Sequence, residues 1–170
     1  MIFLLTYIVA LLLVITYQDF KERAISWWLL PLLMLGFVIV SLKQNHWYQY
    51  LINCLINNAF CGFMFTIITT YFSVKHKSFV NIINNMLGIG DILFFVVLSF
   101  CFSHVHYIFF MISSLFIASL FGFYFQYKKQ TIPLAGIQAM VFILYYFVCQ
   151  HFSISLQNDY FLLTFVEPKM

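Results

Sequence analysis

The sequence has few charged residues. Asp, Glu, Lys and Arg make up only 8% of its 170 residues, whereas in a soluble domain they average about a quarter. Hydrophobic residues account for 64% of the chain, and its mean hydropathy is +0.98. A chain of this composition could not cover a water-facing surface, so we predict that it lies in a lipid bilayer.

Three further features are missing. The Lys and Arg residues stand singly or in pairs and form no basic stripe, which argues against nucleic acid as a partner. The four cysteines form no Cys-x-x-Cys pair, so we expect buried small hydrophobic side chains and not metal ligands or disulfides. The N-terminus lacks a basic segment and a small-residue cleavage site, which predicts a retained membrane helix.

Long apolar runs divide the chain into six predicted membrane spans. A membrane helix needs about 20 mostly apolar residues. By this measure the spans cover 2–18, 27–42, 51–72, 88–103, 105–126 and 132–151. No repeat and no Pro- or Gly-rich linker separates them, so we expect a single all-α membrane domain over residues 1–170, folded as a six-helix bundle.

The basic residues near the span ends predict the orientation, because cytoplasmic loops carry an excess of Lys and Arg. Six of them share one side: Lys21, Arg23, Lys75, Lys77, Lys128 and Lys129. Lys43 and Lys169 share the other. We therefore expect both chain ends outside, and Asp19 and Asp91 together at the cytoplasmic face. If spans four and five formed one re-entrant unit, only the C-terminus would change sides.

Asp19 and Asp91 are the two aspartates that stand beside membrane-length apolar runs. An acid at a membrane boundary is costly to keep ionised and is therefore a candidate functional residue. Aspartyl peptide hydrolysis needs two such acids, one ionised and one protonated. In the run Gly88–Asp91, glycine permits positive φ and close backbone approach, which could open the acid to water. The alternatives are a helix N-cap for Asp91 and an ordinary interfacial loop for Asp19.

Three sequence pieces carry a family resemblance. They are Asp-x-x-x-Arg-x-Ile at Asp19–Ile25, Gly-x-Gly-Asp at Gly88–Asp91, and Ile-Pro after a basic pair at Lys128–Pro133. In this order and spacing they resemble the type IV prepilin peptidase family. The resemblance implies a six-helix aspartic peptidase of the Gly-x-Gly-Asp type, in the cytoplasmic membrane of a bacterium or archaeon. Its substrates would be prepilin-like membrane proteins that lose a short basic leader on the cytoplasmic side.

The resemblance also implies roles for single residues. Asp19 and Asp91 would be the catalytic pair, and no metal or other cofactor would be needed. The motif and support residues would be Gly88, Gly90, Arg23 and Pro133. Candidates for substrate contact are Lys21, Glu22, Lys128 and Lys129, although an orientation signal for the lysines and simple solvation for Glu22 are the plainer interpretations. Near the outer end of span three, Asn53, Asn57 and Asn58 are expected to make helix-to-helix hydrogen bonds.

The sequence departs from the family pattern at several positions. Ser26 and Trp27 stand where the family often has Pro and then Asn, and Leu93 stands where Lys is common. The Ile-Pro piece continues as Leu134–Ile137 and not as a Gly- and Pro-containing stretch of the usual form. These departures indicate a divergent branch. The region with paired Cys-x-x-Cys motifs that longer members carry is absent, so N-methyltransferase activity is not expected.

Other interpretations remain open. Presenilin and signal peptide peptidase share Gly-x-Gly-Asp, but they pair it with Tyr-Asp, and here Gln18 separates Tyr17 from Asp19. A small membrane transporter or assembly subunit could use Asp19 and Asp91 to relay protons or ions. A catalytically silent homologue is the third alternative.

Overall fold

All regular secondary structure in the described part of the chain is α-helical. The computed structural model describes residues 2–44, 47–77, 88–127, 133–152, 154–157 and 159. Within these residues the six helices are α1 (Ile2–Glu22), α2 (Leu29–Gln44), α3 (Trp47–His76), α4 (Ile89–Leu98), α5 (His104–Tyr127) and α6 (Leu134–His151). The prediction of an all-helical chain is therefore confirmed.

Four of these helices are long and apolar enough to cross a membrane. The candidate spans are Phe3–Glu22, Trp47–Lys75, His104–Gly122 and Leu134–His151, which belong to α1, α3, α5 and α6. They identify the chain as a multi-pass membrane protein. The other two helices are apolar but shorter. A helix of ten residues, the length of α4, extends only about 15 Å, half of a hydrocarbon core of about 30 Å.

Helix α4 is shorter than the predicted span 88–103 because the chain turns at Ser99. The Asn57 side-chain amide of α3 donates hydrogen bonds to the carbonyls of Ser99 and Phe102, at 3.1 and 2.9 Å. The Ser41 hydroxyl of α2 donates to the Phe100 carbonyl at 3.0 Å. Irregular backbone inside a membrane protein is tolerated where the protein satisfies its polar groups, and side chains of α2 and α3 do so here.

Helix α1 is longer than its predicted span of 2–18 and carries Asp19 on its last turn. The sequence places a break from Asp19 to Ser26, but the helix continues to Glu22. It ends at Arg23, which has a φ of 55° and donates its backbone N–H to the Asp19 carbonyl at 3.1 Å. A left-handed residue at this position is a common way to end a helix. Asp19 is consequently held on a helix and not on a loop.

Aromatic rings fill the centre of the helix assembly. Phe102 lies between neighbours from two helices, with ring centroids 5.1 Å from Phe110 and 5.4 Å from Phe142. Phe142 in turn lies 5.3 Å from Phe37 of α2. Aromatic pairs at these separations contribute beyond simple area burial. The cluster fixes α6 against α2 and α5, and α6 packs more extensively against α1 than against any other described helix.

A polar network lies at the end of α6 away from its N-terminus. His106 Nδ1 is 2.7 Å from the Tyr145 hydroxyl, and His104 Nε2 is 3.2 Å from an oxygen of Asp159. Asn53 Oδ1 is 3.3 Å from His104 Nδ1, and Asn58 donates to the Ser99 hydroxyl at 2.8 Å. The predicted helix-to-helix hydrogen bond is confirmed for Asn53, whereas Asn57 and Asn58 bond to the turn that follows α4.

All four cysteines are free and buried, as the sequence predicts for small hydrophobic side chains. They are Cys54, Cys61, Cys101 and Cys149.

Candidate active site

Asp19 and Asp91 meet at the first turn of α6. An oxygen of Asp19 (Oδ2) accepts a hydrogen bond from the Gly136 N–H at 2.6 Å. An oxygen of Asp91 (Oδ1) accepts one from the Ala135 N–H at 3.0 Å. The two donors are consecutive backbone amides, and the two carboxylates are close enough for their charges to interact. Acids that are 72 residues apart in the sequence are thus brought to one point.

The start of α6 is suited to hold negative charge. Pro133 is its N-cap residue, and it is buried. The first N–H groups of a helix have no partner within the helix, and they lie at the positive end of its dipole. Hydrogen bonds from such donors to carboxylates are charge-assisted and stronger than neutral ones. Asp19 and Asp91 therefore use donors that the helix would otherwise leave unsatisfied.

The Gly88–Asp91 motif supports Asp91 in a way that differs from the prediction. Gly88 is the N-cap of α4, with a φ of −69° and a ψ of 143°, and no described glycine has a positive φ. Asp91 is the third residue of α4, and its Oδ2 accepts the Gly88 N–H at 3.3 Å. Gly88 and Gly90 do not use the positive φ that glycine permits, and the alternative of Asp91 as an N-cap is wrong. Close approach is the role of Gly88, because a Cβ there would lie 3.2 Å from Asp91 Oδ2.

The Asp19–Ile25 piece contacts the Gly-x-Gly-Asp piece directly. A Cβ on Gly90 would lie 3.5 Å from Ile25 Cδ1, so the Ile25 side chain packs over this glycine. Arg23 lies near enough to Asp19 for their charges to interact. Two of the three predicted pieces thus form one assembly around the carboxylates, and Pro133 of the third begins the helix that holds them.

A sequence model described as the type IV leader peptidase family matches residues 6–123. This match covers well over half of the chain, and it includes both aspartates and both motif glycines. The chain belongs to the type IV leader peptidase family. Neither a search of the curated proteins nor a search of the solved structures finds a match.

Membership of the type IV leader peptidase family confirms the resemblance and implies a prepilin peptidase, a membrane hydrolase. The family match ends before Pro133 and α6. The hydrogen bonds from Ala135 and Gly136 are therefore seen in the structure alone, because the family match does not include these two residues.

Two of the four candidates for substrate contact in this leader peptidase family member lie within the described residues. Lys21 and Glu22 are exposed on the last turn of α1. The Lys21 ammonium donates to the Tyr17 hydroxyl at 3.2 Å and lies 5.3 Å from the centre of that ring. Lys128 and Lys129 are outside the described residues.

Sequence reasoning missed Ala135 and Gly136 as partners of the aspartates. Their contribution is a backbone N–H, which any residue except proline carries. A signal was nevertheless present, because Pro133 is followed, after Leu134, by two small residues, Ala135 and Gly136. Proline at the start of a helix and small residues in its first turn indicate a helix end that other groups can approach closely.

Proposed function

We propose that this protein is an aspartic endopeptidase that removes the short N-terminal leader from prepilin-like precursors at the cytoplasmic face of the membrane. The observation that carries the proposal is the convergence of Asp19 and Asp91 on neighbouring amides of α6. Family membership supports peptide hydrolysis as the reaction. A pair of adjacent carboxylates supplies the acid and the base that this reaction needs.

In the proposed mechanism, Asp19 and Asp91 share one proton. The ionised carboxylate takes a proton from a water molecule, whose oxygen attacks the carbonyl carbon of the scissile peptide bond. The protonated carboxyl donates a hydrogen bond to the carbonyl oxygen. When the carbon–nitrogen bond breaks, a proton passes to the leaving amine. The two acids act as one unit, because strongly interacting carboxylates titrate as a pair.

In this mechanism, the backbone N–H groups at the start of α6 hold the two carboxylates in place. A carboxylate that accepts a backbone N–H is held in one orientation. Asp91 is held from two directions, since Gly88 and Ala135 donate to different oxygens. We infer that this arrangement keeps the acids in position before a substrate arrives, which lowers the cost of reaching the transition state.

For the membrane arrangement, we propose a single domain over 1–170 with six helices in one bundle, α2 and α4 included. Its N-terminus would be outside and its active site at the cytoplasmic face. Lys21 stands at the same end of α1 as Asp19. The end of α2 that carries Lys43 is linked through Ser41 to the Phe100 carbonyl, which lies beyond the end of α4 opposite to Asp91. The placement of the basic residues is thus consistent with the excess of positive charge inside.

The substrate class follows from the position of the site. A peptide bond reaches both carboxylates only if it is held at the membrane edge. We infer a short, hydrophilic and basic leader in the cytoplasm, followed directly by an apolar segment that stays in the bilayer. The family resemblance implies a glycine just before the cut in such precursors, which would be type IV pilins, pseudopilins or related proteins.

The test is leader removal from a co-expressed prepilin-like precursor, measured by the mass of its N-terminal peptide. We expect Asp19→Asn and Asp91→Asn each to reduce cleavage by at least 100-fold, because loss of an acid–base partner commonly costs about 10²–10⁴-fold. Glu22→Gln is the matched control, since Glu22 is an exposed acid on the same turn as Asp19. It should cleave as the wild type does. Substantial cleavage by either Asp→Asn variant would refute the two-aspartate mechanism.

A further inference from the structure

Gly136 leaves less space for a Cβ than an ordinary van der Waals contact needs. A Cβ at this position would lie 3.0 Å from Cδ2 and 3.1 Å from Cε2 of the Phe20 ring, and 3.1 Å from Asp19 Oδ2. That oxygen is the one that accepts the Gly136 N–H at 2.6 Å. No described glycine has a positive φ, so the requirement for glycine here concerns space and not backbone conformation.

We propose that Gly136 is a positioning residue, whose missing side chain lets α1 approach α6 closely enough for Asp19 to stand beside Asp91. The inference rests on the proposed function and adds a specific requirement to it. The reason for this proposal is a difference between the consecutive residues Ala135 and Gly136. Ala135 carries a Cβ and still gives its N–H to Asp91, whereas a Cβ on Gly136 would meet the carboxylate that its own N–H binds.

The close approach involves more than one atom pair. Asp19 and Phe20 are consecutive residues on the last turn of α1, and the side chains of both lie where a Cβ of residue 136 would point. A Cβ at position 136 would require the side chains of Asp19 and Phe20 to move away from α6 by a few tenths of an ångström. Asp91 would not follow, because it is attached to α4 and is held by Gly88 as well as by Ala135. The expected result is a wider separation of the two carboxylates in a helix bundle that is otherwise intact.

This geometry predicts which kinetic constant changes. Gly136→Ala displaces Asp19 by a few tenths of an ångström or more, and misplacement of a catalytic group by 1 Å can cost about 100-fold in rate. We expect kcat to fall at least tenfold. KM should stay within twofold, because Gly136 contacts Asp19 and Phe20 and has no part in the proposed recognition of the leader or the apolar segment.

Gly62 provides a matched control. A Cβ on this glycine of α3 would meet nothing within 4 Å, so Gly62→Ala introduces the same methyl group into open space. The substrate probe is a synthetic peptide with a Lys-rich leader, a glycine and an apolar segment long enough to span a membrane. Purified full-length variants in detergent are compared by kcat, KM and Tm. Gly62→Ala should match the wild type in both kinetic constants, and Gly136→Ala should lose kcat without a matching loss of Tm.

A second substitution tests whether contact between the added Cβ and the Phe20 ring causes the loss of kcat. Phe20→Leu removes the ring atoms that lie closest to the added Cβ, so it should restore part of the lost kcat when combined with Gly136→Ala. Full recovery is not expected, because the contact with Asp19 Oδ2 remains. Phe20→Leu alone is the reference for this double variant, and coupling between the two substitutions is measured by a double-mutant cycle.

The outcomes separate this inference from the proposed function. If Gly136→Ala cleaves as well as Gly62→Ala does, Gly136 is not a positioning residue, while a loss of cleavage in Asp19→Asn still supports the peptidase. If the wild type does not cleave the peptide, or Asp19→Asn does cleave it, the proposed function fails, and the inference that rests on it fails too. If Gly136→Ala does not accumulate, the double variant decides, and activity equal to that of Phe20→Leu overturns the inference.

Discussion

Asp91 uses both of its carboxylate oxygens to bind backbone N–H groups, one before and one far after it in the sequence. Oδ2 accepts from Gly88 and Oδ1 from Ala135. Backbone donors keep their place when the side chains around them change. At the scale of single residues, the site is therefore most sensitive where a new side chain would enter the space between a carboxylate and its donor.

The two motif glycines, Gly88 and Gly90, differ in how closely an added Cβ would approach a carboxylate oxygen. A Cβ on Gly88 would lie 3.2 Å from Asp91 Oδ2, which is tight, while a Cβ on Gly90 would make ordinary contact with Ile25 at 3.5 Å. We predict that Gly88→Ala lowers the rate of leader cleavage several-fold more than Gly90→Ala does, with both proteins folded. Cleavage rates and Tm of the two variants test this. Equal losses would mean that the substrate, and not Asp91, sets the need for glycine.

At the scale of helices, the pairing of Asp19 and Asp91 could be predicted from the sequence. The backbone N–H groups of α6 that bind the two carboxylates could not. The basic residues place both acids on one face, because the excess of positive charge inside depends on residue type alone. The donors on Ala135 and Gly136 are backbone groups, so Pro133 and the small residues after it indicate an accessible helix start but not which side chains bind there. The length of α4 could not be predicted from the sequence either, because side chains of other helices, Asn57 and Ser41, bind the turn at its end.

The turn between α4 and α5 gives a prediction about stability. Asn57 is buried and donates to the carbonyls of Ser99 and Phe102. Asn57→Ala would leave both carbonyls without that donor, and an unsatisfied buried polar group costs about 1–3 kcal/mol. We expect a clear fall in Tm in detergent. Thr66→Ala on the same helix is the control, because the exposed Thr66 hydroxyl donates to the Gly62 carbonyl of its own helix. An unchanged Tm for Asn57→Ala would show that the turn is held by other contacts.

At the scale of the whole molecule, the orientation of the bundle decides which substrates can reach the site. The Asp19 end of α1 and the Asp91 end of α4 form one end of the helix assembly, at the start of α6. The His104 and Asp159 contact lies beyond the other end of α4. If the aspartate end faces the cytoplasm, only precursors with a cytoplasmic leader present a peptide bond to it.

Cysteine labelling of intact cells tests this orientation. The four native cysteines are buried, so they should react slowly and can be replaced if they do not. Lys43 and Lys75 are both exposed, near the ends of α2 and α3 respectively. With a membrane-impermeant thiol reagent, we expect Lys43→Cys to be labelled in intact cells and Lys75→Cys to be labelled only after permeabilisation. Labelling of Lys75→Cys from outside would show that the bundle has the opposite orientation. Both carboxylates would then lie at the outer face, and a leader in the cytoplasm could not reach them.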